Sequence, residues 1–280
     1  MNIQNLIQMG STYLKCKDIP TYQIDSEILM TKVLMKDKKY IILNPTKKLD
    51  KEKSNYYKKL IKLRSFGKPI AYLIKKKGFW KYDFKVSENV LIPRPDTETI
   101  IEQVLKITKE KSKLRVLDIG VGSGCILLSI LKEKSDFYGV GVDLSQKCID
   151  ISKINAIRLN IKNRVKFFKS DIDNFKLGKY DLIISNPPYI KTFDLKYLEK
   201  DVVDFEPTSA LNGGLDGLSI IKKVINNSSK LIKNKGKLVL EIAFDQKNLV
   251  IKLLKNEGFY INNIVKDYAN NDRCIVSTKI

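Results

Sequence analysis

Two short stretches of this chain bring chemistry-bearing residue types close together. The first runs Asp118-Ile119-Gly120-Val121-Gly122-Ser123-Gly124, three alternating glycines between an apolar strand-like run and an apolar helix-like run. Glycines are needed where a turn is tight and where a ligand lies directly against backbone. The second is Ser185-Asn186-Pro187-Pro188-Tyr189-Ile190, closing the apolar run Asp181-Leu182-Ile183-Ile184. Adjacent prolines offer no N–H to a ladder and force extended dihedrals, so a strand must stop at Asn186. Beyond it lies a stiff loop in which the Asn186 amide and the Pro187 carbonyl present two acceptors. Such a pair suits a planar NH2 group, binding both hydrogens and aiming the nitrogen lone pair. Tyr189 can stack on that plane or close the pocket. Taken alone, the loop is equally well explained as a rigid strand terminator.

The glycine spacing is G-x-G-x-G and not the G-x-G-x-x-G of dinucleotide folds, and a structural turn explains a bare triplet. Two companions add to it. Asp118 precedes Gly120 by two residues, and Val142-Asp143 closes the next strand 23 residues after Gly120. An acid at the end of the second strand can take both hydroxyls of a ribose. Asp118 at the loop mouth could attract an ammonium or sulfonium group. An adenosine ligand with positive charge and no phosphate is S-adenosylmethionine, and D-x-G-x-G-x-G is the form its methyltransferases use. The plainer readings are a solvated strand end for Asp143 and a loop cap for Asp118. Asp171, after the third strand, either accepts from an adenine amine or forms an Asx turn. Asn186 follows Gly124 by 62 residues, and amide nitrogen is so poor a nucleophile that positioning and electrostatics must supply most of the catalysis.

These residues need a sheet to hold them. After Pro93-Arg94-Pro95 and an acidic helix start, Asp96-Thr97-Glu98, strands and helices alternate. The expected strands are 115–118, 137–143, 165–169, 180–185, 237–242, 260–265 and 273–278. That alternation predicts a doubly wound α/β domain with a mostly parallel sheet, whose carboxyl edge binds ligands. From Asn2 to about Leu63 apolar residues recur at helical spacing, for example Ile24, Ile28, Leu29 and Val33, predicting four or five helices. Segment 78–92 alternates apolar and polar residues, predicting a β-hairpin that turns at Ser87-Glu88-Asn89. The expected organisation is therefore a helical domain over 1–75, a hairpin linker over 76–94 and a Rossmann-like domain over 95–280.

Composition narrows the chemistry. The 280 residues contain no His, so the commonest general base and the commonest metal ligand are both missing. Four dispersed cysteines suggest neither a zinc site nor a disulfide framework, and no metal is expected. No long apolar run or secretory signal is evident, so a cytoplasmic protein without a membrane association is expected. The net charge is +21, of which residues 1–90 carry +12. Of the 52 basic residues only six are Arg, the better phosphate fork, so the charge weighs less toward nucleic-acid recognition than its size suggests.

The combination of DIGVGSG, VD and NPPY resembles class I amino-methyltransferases. The further stretches GKPIAYLIKKKGFWKYDFKV, LIPRPDTE, FEPTSALNGGLDGL and DYANNDRCIV, in that order, are similar to the HemK/PrmC family of protein-(glutamine-N(5)) methyltransferases acting on peptide chain release factors. The resemblance covers nearly the whole chain from about Ser65. It implies that residues 120–124 and Asp143 bind S-adenosylmethionine, that Asp171 or Ile172 borders the adenine, and that Asn186, Pro187, Pro188 and Tyr189 grip the substrate glutamine. It also implies that the front domain docks the release factor, so that its Gly-Gly-Gln loop reaches the pocket. Two departures stand out. Ile172 replaces an aromatic residue common after the Ser-Asp pair, and Ala243 replaces the glycine usual after Glu241-Ile242. Arg94 and Glu98 either shape the active-site mouth or hold the hairpin to the catalytic domain.

A DNA adenine or RNA guanine methyltransferase uses the same Asn-Pro-Pro-aromatic logic on a flipped base. Against it, only about 25 residues separate NPPY from LNGGLDGL, leaving no recognition insert, and the basic front segment has no Arg-rich or aromatic-interleaved face. A nucleotide-binding module without catalysis does not account for an amide-binding loop beside a cofactor loop. The expected protein is a monomer acting on a protein substrate, with no direct nucleic-acid partner.

Overall fold

The computed structural model describes residues 1–280, which fall into two compact units. The first comprises Met1–Lys76 with Glu199–Phe205, and the second comprises Lys77–Leu198 with Glu206–Ile280.

The first unit is helical: α1 (Ile3–Lys15), α2 (Tyr22–Leu34), α3 (Lys38–Leu43), α4 (Lys51–Ser65) and α5 (Ile70–Ile74). Asn2, Asp37 and Asp50 start α1, α3 and α4 by accepting a backbone N–H three residues on. Leu6, Leu14, Leu29, Met30, Tyr57 and Ile61 form the core. Of the expected apolar face of α2, Leu29 and Val33 are buried, whereas Ile24 faces solvent. Gly10 lets α1 and α4 meet closely, because a Cβ there would lie 2.4 Å from the Tyr57 hydroxyl. Polar groups in this core are satisfied: Ser26 Oγ donates to the Ile7 carbonyl at 2.8 Å, and Arg64 Nε donates to Asp25 Oδ2 at 2.6 Å.

The second unit opens with a two-stranded hairpin, β1 (Lys76–Phe79) and β2 (Tyr82–Lys85). Its turn is therefore at Trp80-Lys81, not at Ser87-Glu88-Asn89. Trp80 adopts φ 56°, and its N–H donates to Glu98 Oε1 at 2.7 Å. A side chain from outside the hairpin thus supports a turn whose own residues carry no turn chemistry. Next come α6 (Glu98–Ile107), β3 (Arg115–Ile119), α7 (Cys125–Glu133), β4 (Tyr138–Asp143), α8 (Gln146–Arg158), β5 (Val165–Lys169) and β6 (Tyr180–Ser185). The short helix α9 (Lys200–Phe205) belongs to the first unit, and the chain finishes with α10 (Ser219–Leu231), β7 (Ile232–Glu241), α11 (Lys247–Asn256), β8 (Phe259–Lys266) and β9 (Asp272–Lys279).

The strands form one sheet in the order β5-β4-β3-β6-β7-β9-β8, parallel except that β9 runs antiparallel to both neighbours. Side-chain alternation sorts the core into two layers. Val116, Leu182, Ile184 and Val239 pack with α6 and α7, while Leu117, Ile183, Leu238 and Leu240 pack with α10 and α11. The chain leaves β3 toward β4 and β5 and returns to the other side of β3 as β6. That reversal is a topological switch point, and it sets the ends of β3 and β6 side by side. No helix is long and apolar enough to cross a membrane.

Candidate active site at the carboxyl edge

The glycine turn after β3 is held from several sides. Gly120 and Val121 N–H both donate to the Val142 carbonyl, at 2.8 and 3.0 Å, and Ser152 Oγ donates to the Gly122 carbonyl at 2.9 Å. Asn155 Nδ2 donates to the Ser123 carbonyl at 2.8 Å. Gly120, Gly122 and Gly124 all have positive φ, at 78°, 54° and 80°, which only glycine adopts freely. Their surroundings differ. A Cβ on Gly124 would meet Leu128 at 2.9 Å, whereas one on Gly120 would meet nothing within 4 Å. The turn therefore packs tightly on α7 at one end and opens a cradle at the other.

Asp143 does more than end β4. Its Oδ2 accepts from Gly122 N–H at 2.9 Å and its Oδ1 from Ser145 N–H at 2.9 Å, tying the turn to the start of α8. Each oxygen retains a second lone pair for a further donor. Leu144 beside it is exposed. Asp171 caps the short 3₁₀ turn Ile172–Asn174 by accepting from Asp173 N–H at 2.9 Å, so its Asx-turn reading holds at one oxygen. Ile172 packs against the core beneath, and Asn227 donates to its carbonyl.

Asp118 lies deeper than the loop mouth expected for it. It points to the same face as Val116, under α7, and is only 1% exposed. Neither carboxylate oxygen has a hydrogen-bond partner. Burial, reinforced by the nearby Asp143 charge and opposed by the Leu127 backbone, pushes its pKa up to about 8.

The Asn186–Tyr189 loop is braced as firmly as the glycine turn. Asn186 Nδ2 donates to Thr97 Oγ1 at 3.0 Å, which leaves Asn186 Oδ1 as the uncommitted end of the amide. Gln246 Nε2 donates to both the Tyr189 carbonyl at 3.1 Å and the Gly217 carbonyl at 3.0 Å. Gly213 N–H donates to the Ile190 carbonyl at 2.8 Å, and a Cβ there would strike backbone atoms of Gly217, Tyr189 and Pro188, at 2.7 to 2.9 Å. The LNGGLDGL segment is thus the backing of the NPPY loop. Glu206, in the FEP segment, accepts from Ile92 N–H at 3.1 Å and from Arg94 at 2.5 Å, anchoring the chain that leads to Thr97. Of the two roles weighed for Glu98, holding the hairpin is the one its bond to Trp80 performs.

These positions fit S-adenosylmethionine on two structural grounds. The cradle at Gly120 is space that a side chain would fill, and the buried Asp118 carboxylate has no protein partner for its negative charge.

The sequence likeness is extensive. A relative in Clostridium acetobutylicum, named release factor glutamine methyltransferase, is 36% identical across 100% of this chain and 99% of its own length. This chain belongs to the release factor glutamine methyltransferase family. A second member, in Buchnera aphidicola subsp. Acyrthosiphon pisum, is 37% identical over the same shares. The family model for the PrmC N-terminal domain matches residues 5–74 and that for the methyltransferase small domain matches residues 97–202. Two solved structures share the fold of the sheet unit. A methyltransferase from Pyrococcus furiosus gives a TM-score of 0.53 at 17% identity, covering 72% of this chain and 91% of its own. The ribosomal protein L11 methylase from Lactobacillus delbrueckii subsp. bulgaricus gives 0.51 at 16% identity, covering 73% and 90%. As a member of this family the protein is a methyltransferase. Sequence reasoning missed Thr97, Gln246 and Glu206 as supports of the site, because each acts only across pairings between distant segments.

Proposed function

We propose that the protein transfers a methyl group from S-adenosylmethionine to the side-chain amide nitrogen of the glutamine in the Gly-Gly-Gln motif of peptide chain release factors. The observation that carries this reading is the polarity of Asn186. With its Nδ2 committed to Thr97, its Oδ1 is available to accept from a substrate NH2. The Pro187 carbonyl is the second acceptor, and the two proline rings keep both in place.

Residues 120–124 would line the cofactor, Asp143 would take ribose hydroxyls, and Asp171 with Ile172 would border the adenine. Asp118 would offset positive charge from below. When bound, the cofactor supplies an electrophilic methyl on a sulfonium sulfur. Asn186 Oδ1 and the Pro187 carbonyl hold the two amide hydrogens, so the nitrogen lone pair projects from the loop toward the glycine turn across the switch point. Tyr189 flanks the amide plane and keeps water from it. As the nitrogen gives up its conjugation, the hydrogen held by Asn186 becomes acidic and leaves to water, which asks for no His. Orientation of this kind contributes several kcal/mol to lowering a barrier.

The front helical unit, which holds most of the net charge of residues 1–90, docks the release factor in this reading. We further infer a cytoplasmic monomer that acts on protein and not on nucleic acid. Asn186→Ala tests the core of the reading. Methyl transfer should fall by roughly 100-fold or more while cofactor affinity changes by less than about threefold. Unchanged turnover in that variant would remove Asn186 from the site.

A further inference from the structure

Glu241, the last residue of β7, is an ionisable side chain that the proposed chemistry leaves without a task. It is 2% exposed, and no Lys or Arg lies within ion-pair distance of it. Its Oε1 accepts from the Tyr189 hydroxyl at 3.3 Å, and its Oε2 has no partner at hydrogen-bond distance. A buried carboxylate without a contact cation is costly, so its presence calls for an account through the groups it touches. Those groups are few. Tyr189 comes from the loop after β6, Thr97 and Asp96 from the turn before α6, and Arg273 and Cys274 from β9. Arg273 is engaged elsewhere, by Asp267 at 3.0 Å and by the Ile242 carbonyl at 3.3 Å. The Thr97 hydroxyl bears on the carboxylate in a looser contact than its bond to Asn186.

We propose that Glu241 is a positioning residue that sets the polarity of a hydrogen-bonded chain, Glu241 to Thr97 to Asn186, and so turns Asn186 Oδ1 toward the substrate amide. The inference rests on the role of Asn186 given above. A hydroxyl has one proton to donate. If Thr97 gives it to Glu241, its oxygen lone pairs face Asn186, and only the Nδ2 end of that amide can bond to them. The same carboxylate takes the Tyr189 hydroxyl proton, so one group fixes both ends of the NPPY loop. Protonation reverses this arrangement, because a carboxylic acid would donate to Thr97 and free the hydroxyl proton to point at Asn186. Burial pushes the Glu241 pKa up to about 7 against the opposing effects of Thr97 and Arg273, which puts that reversal within an accessible pH range.

The test compares wild type, Thr97→Val, Thr97→Ser, Glu241→Gln and Asn186→Ala on a release factor, following kcat from pH 6 to 9 and cofactor Kd by calorimetry. Removing the hydroxyl (T97V) or the charge (E241Q) should lower kcat by roughly 10- to 100-fold with cofactor Kd within about threefold. Thr97→Ser should recover most of the turnover. Wild-type kcat should decline on the acid side of about pH 7, and E241Q should show no such limb. If E241Q fails to bind cofactor, the nearly isosteric T97V decides the matter. Wild-type rates and pH profile in T97V and E241Q, beside an inactive N186A, would overturn the inference while leaving Asn186 in place. A wild-type protein inert toward release factor would overturn both.

Discussion

Replacing Gly120 or Gly124 by Ala separates two jobs within one glycine turn. At Gly124, with φ 80° and Leu128 2.9 Å from a new Cβ, left-handed strain and overpacking should together cost about 2–4 kcal/mol of stability. At Gly120, with φ 78° and open space ahead, strain alone costs about 1–2 kcal/mol. The methyl there would enter the cradle, so cofactor affinity should drop by more than about tenfold. Thermal unfolding and equilibrium binding of S-adenosylmethionine would read the two effects. Equal stability losses with equal binding would contradict the division. The need for glycine at both places was legible in the sequence, since a D-x-G-x-G-x-G turn between a strand and a helix demands positive φ. Which glycine packs and which faces a ligand was not, because Leu128 and Ser152 reach Gly124 only once α7 and α8 are in place. The depth of Asp118 could have been anticipated from its parity with Val116.

At the scale of elements, the chain reads well where one local signal dominates. The apolar run of β6 ended where the prolines forbid a ladder, at Ser185, and β5 matched its expected bounds, Val165–Lys169. Where tertiary partners decide, it reads poorly. The hairpin turn at Trp80-Lys81 is supported by Glu98, 18 residues away. Strand β7 begins at Ile232, five residues before the start expected at 237, because Ile232 pairs with Tyr180 across a register shift that no alternation announces. The segment LNGGLDGL was visible as a string, but its bracing of NPPY emerged only from packing. That bracing makes a prediction. Gly213→Ala would drive a Cβ into three backbone contacts of at most 2.9 Å, which cannot yield as a flexible side chain could. The NPPY loop should shift, and turnover should fall by roughly 100-fold while cofactor Kd moves little. Steady-state kinetics beside calorimetry would show it, and a loss confined to cofactor binding would refute the bracing.

For the whole molecule, buried carboxylates link stability to pH. Burial raises Asp118 to about 8 and Glu241 to about 7, from the model-compound values of 3.8 and 4.5. For an acid whose folded pKa exceeds its unfolded one, the stabilising contribution is complete below the unfolded value and is lost as pH rises through the folded value. The melting temperature of the cofactor-free protein should therefore decline between pH 4 and pH 8 on account of these two groups. Asp118→Asn should flatten that slope, as should saturating cofactor, whose positive charge favours the ionised carboxylate. A scan with no difference between wild type and D118N would contradict the burial of Asp118 as a costly charge. The net charge of +21 is the other molecular property. It should give weak, sequence-independent binding to duplex DNA that disappears by about 0.2 M salt, without methyl transfer. The most direct test of the central claim offers labelled S-adenosylmethionine with three acceptors in parallel: a release factor, the same factor with its Gly-Gly-Gln glutamine replaced by Ala, and duplex DNA. Label should appear on the intact release factor alone. Label on DNA but not on protein, or equal label on the two release factors, would contradict it.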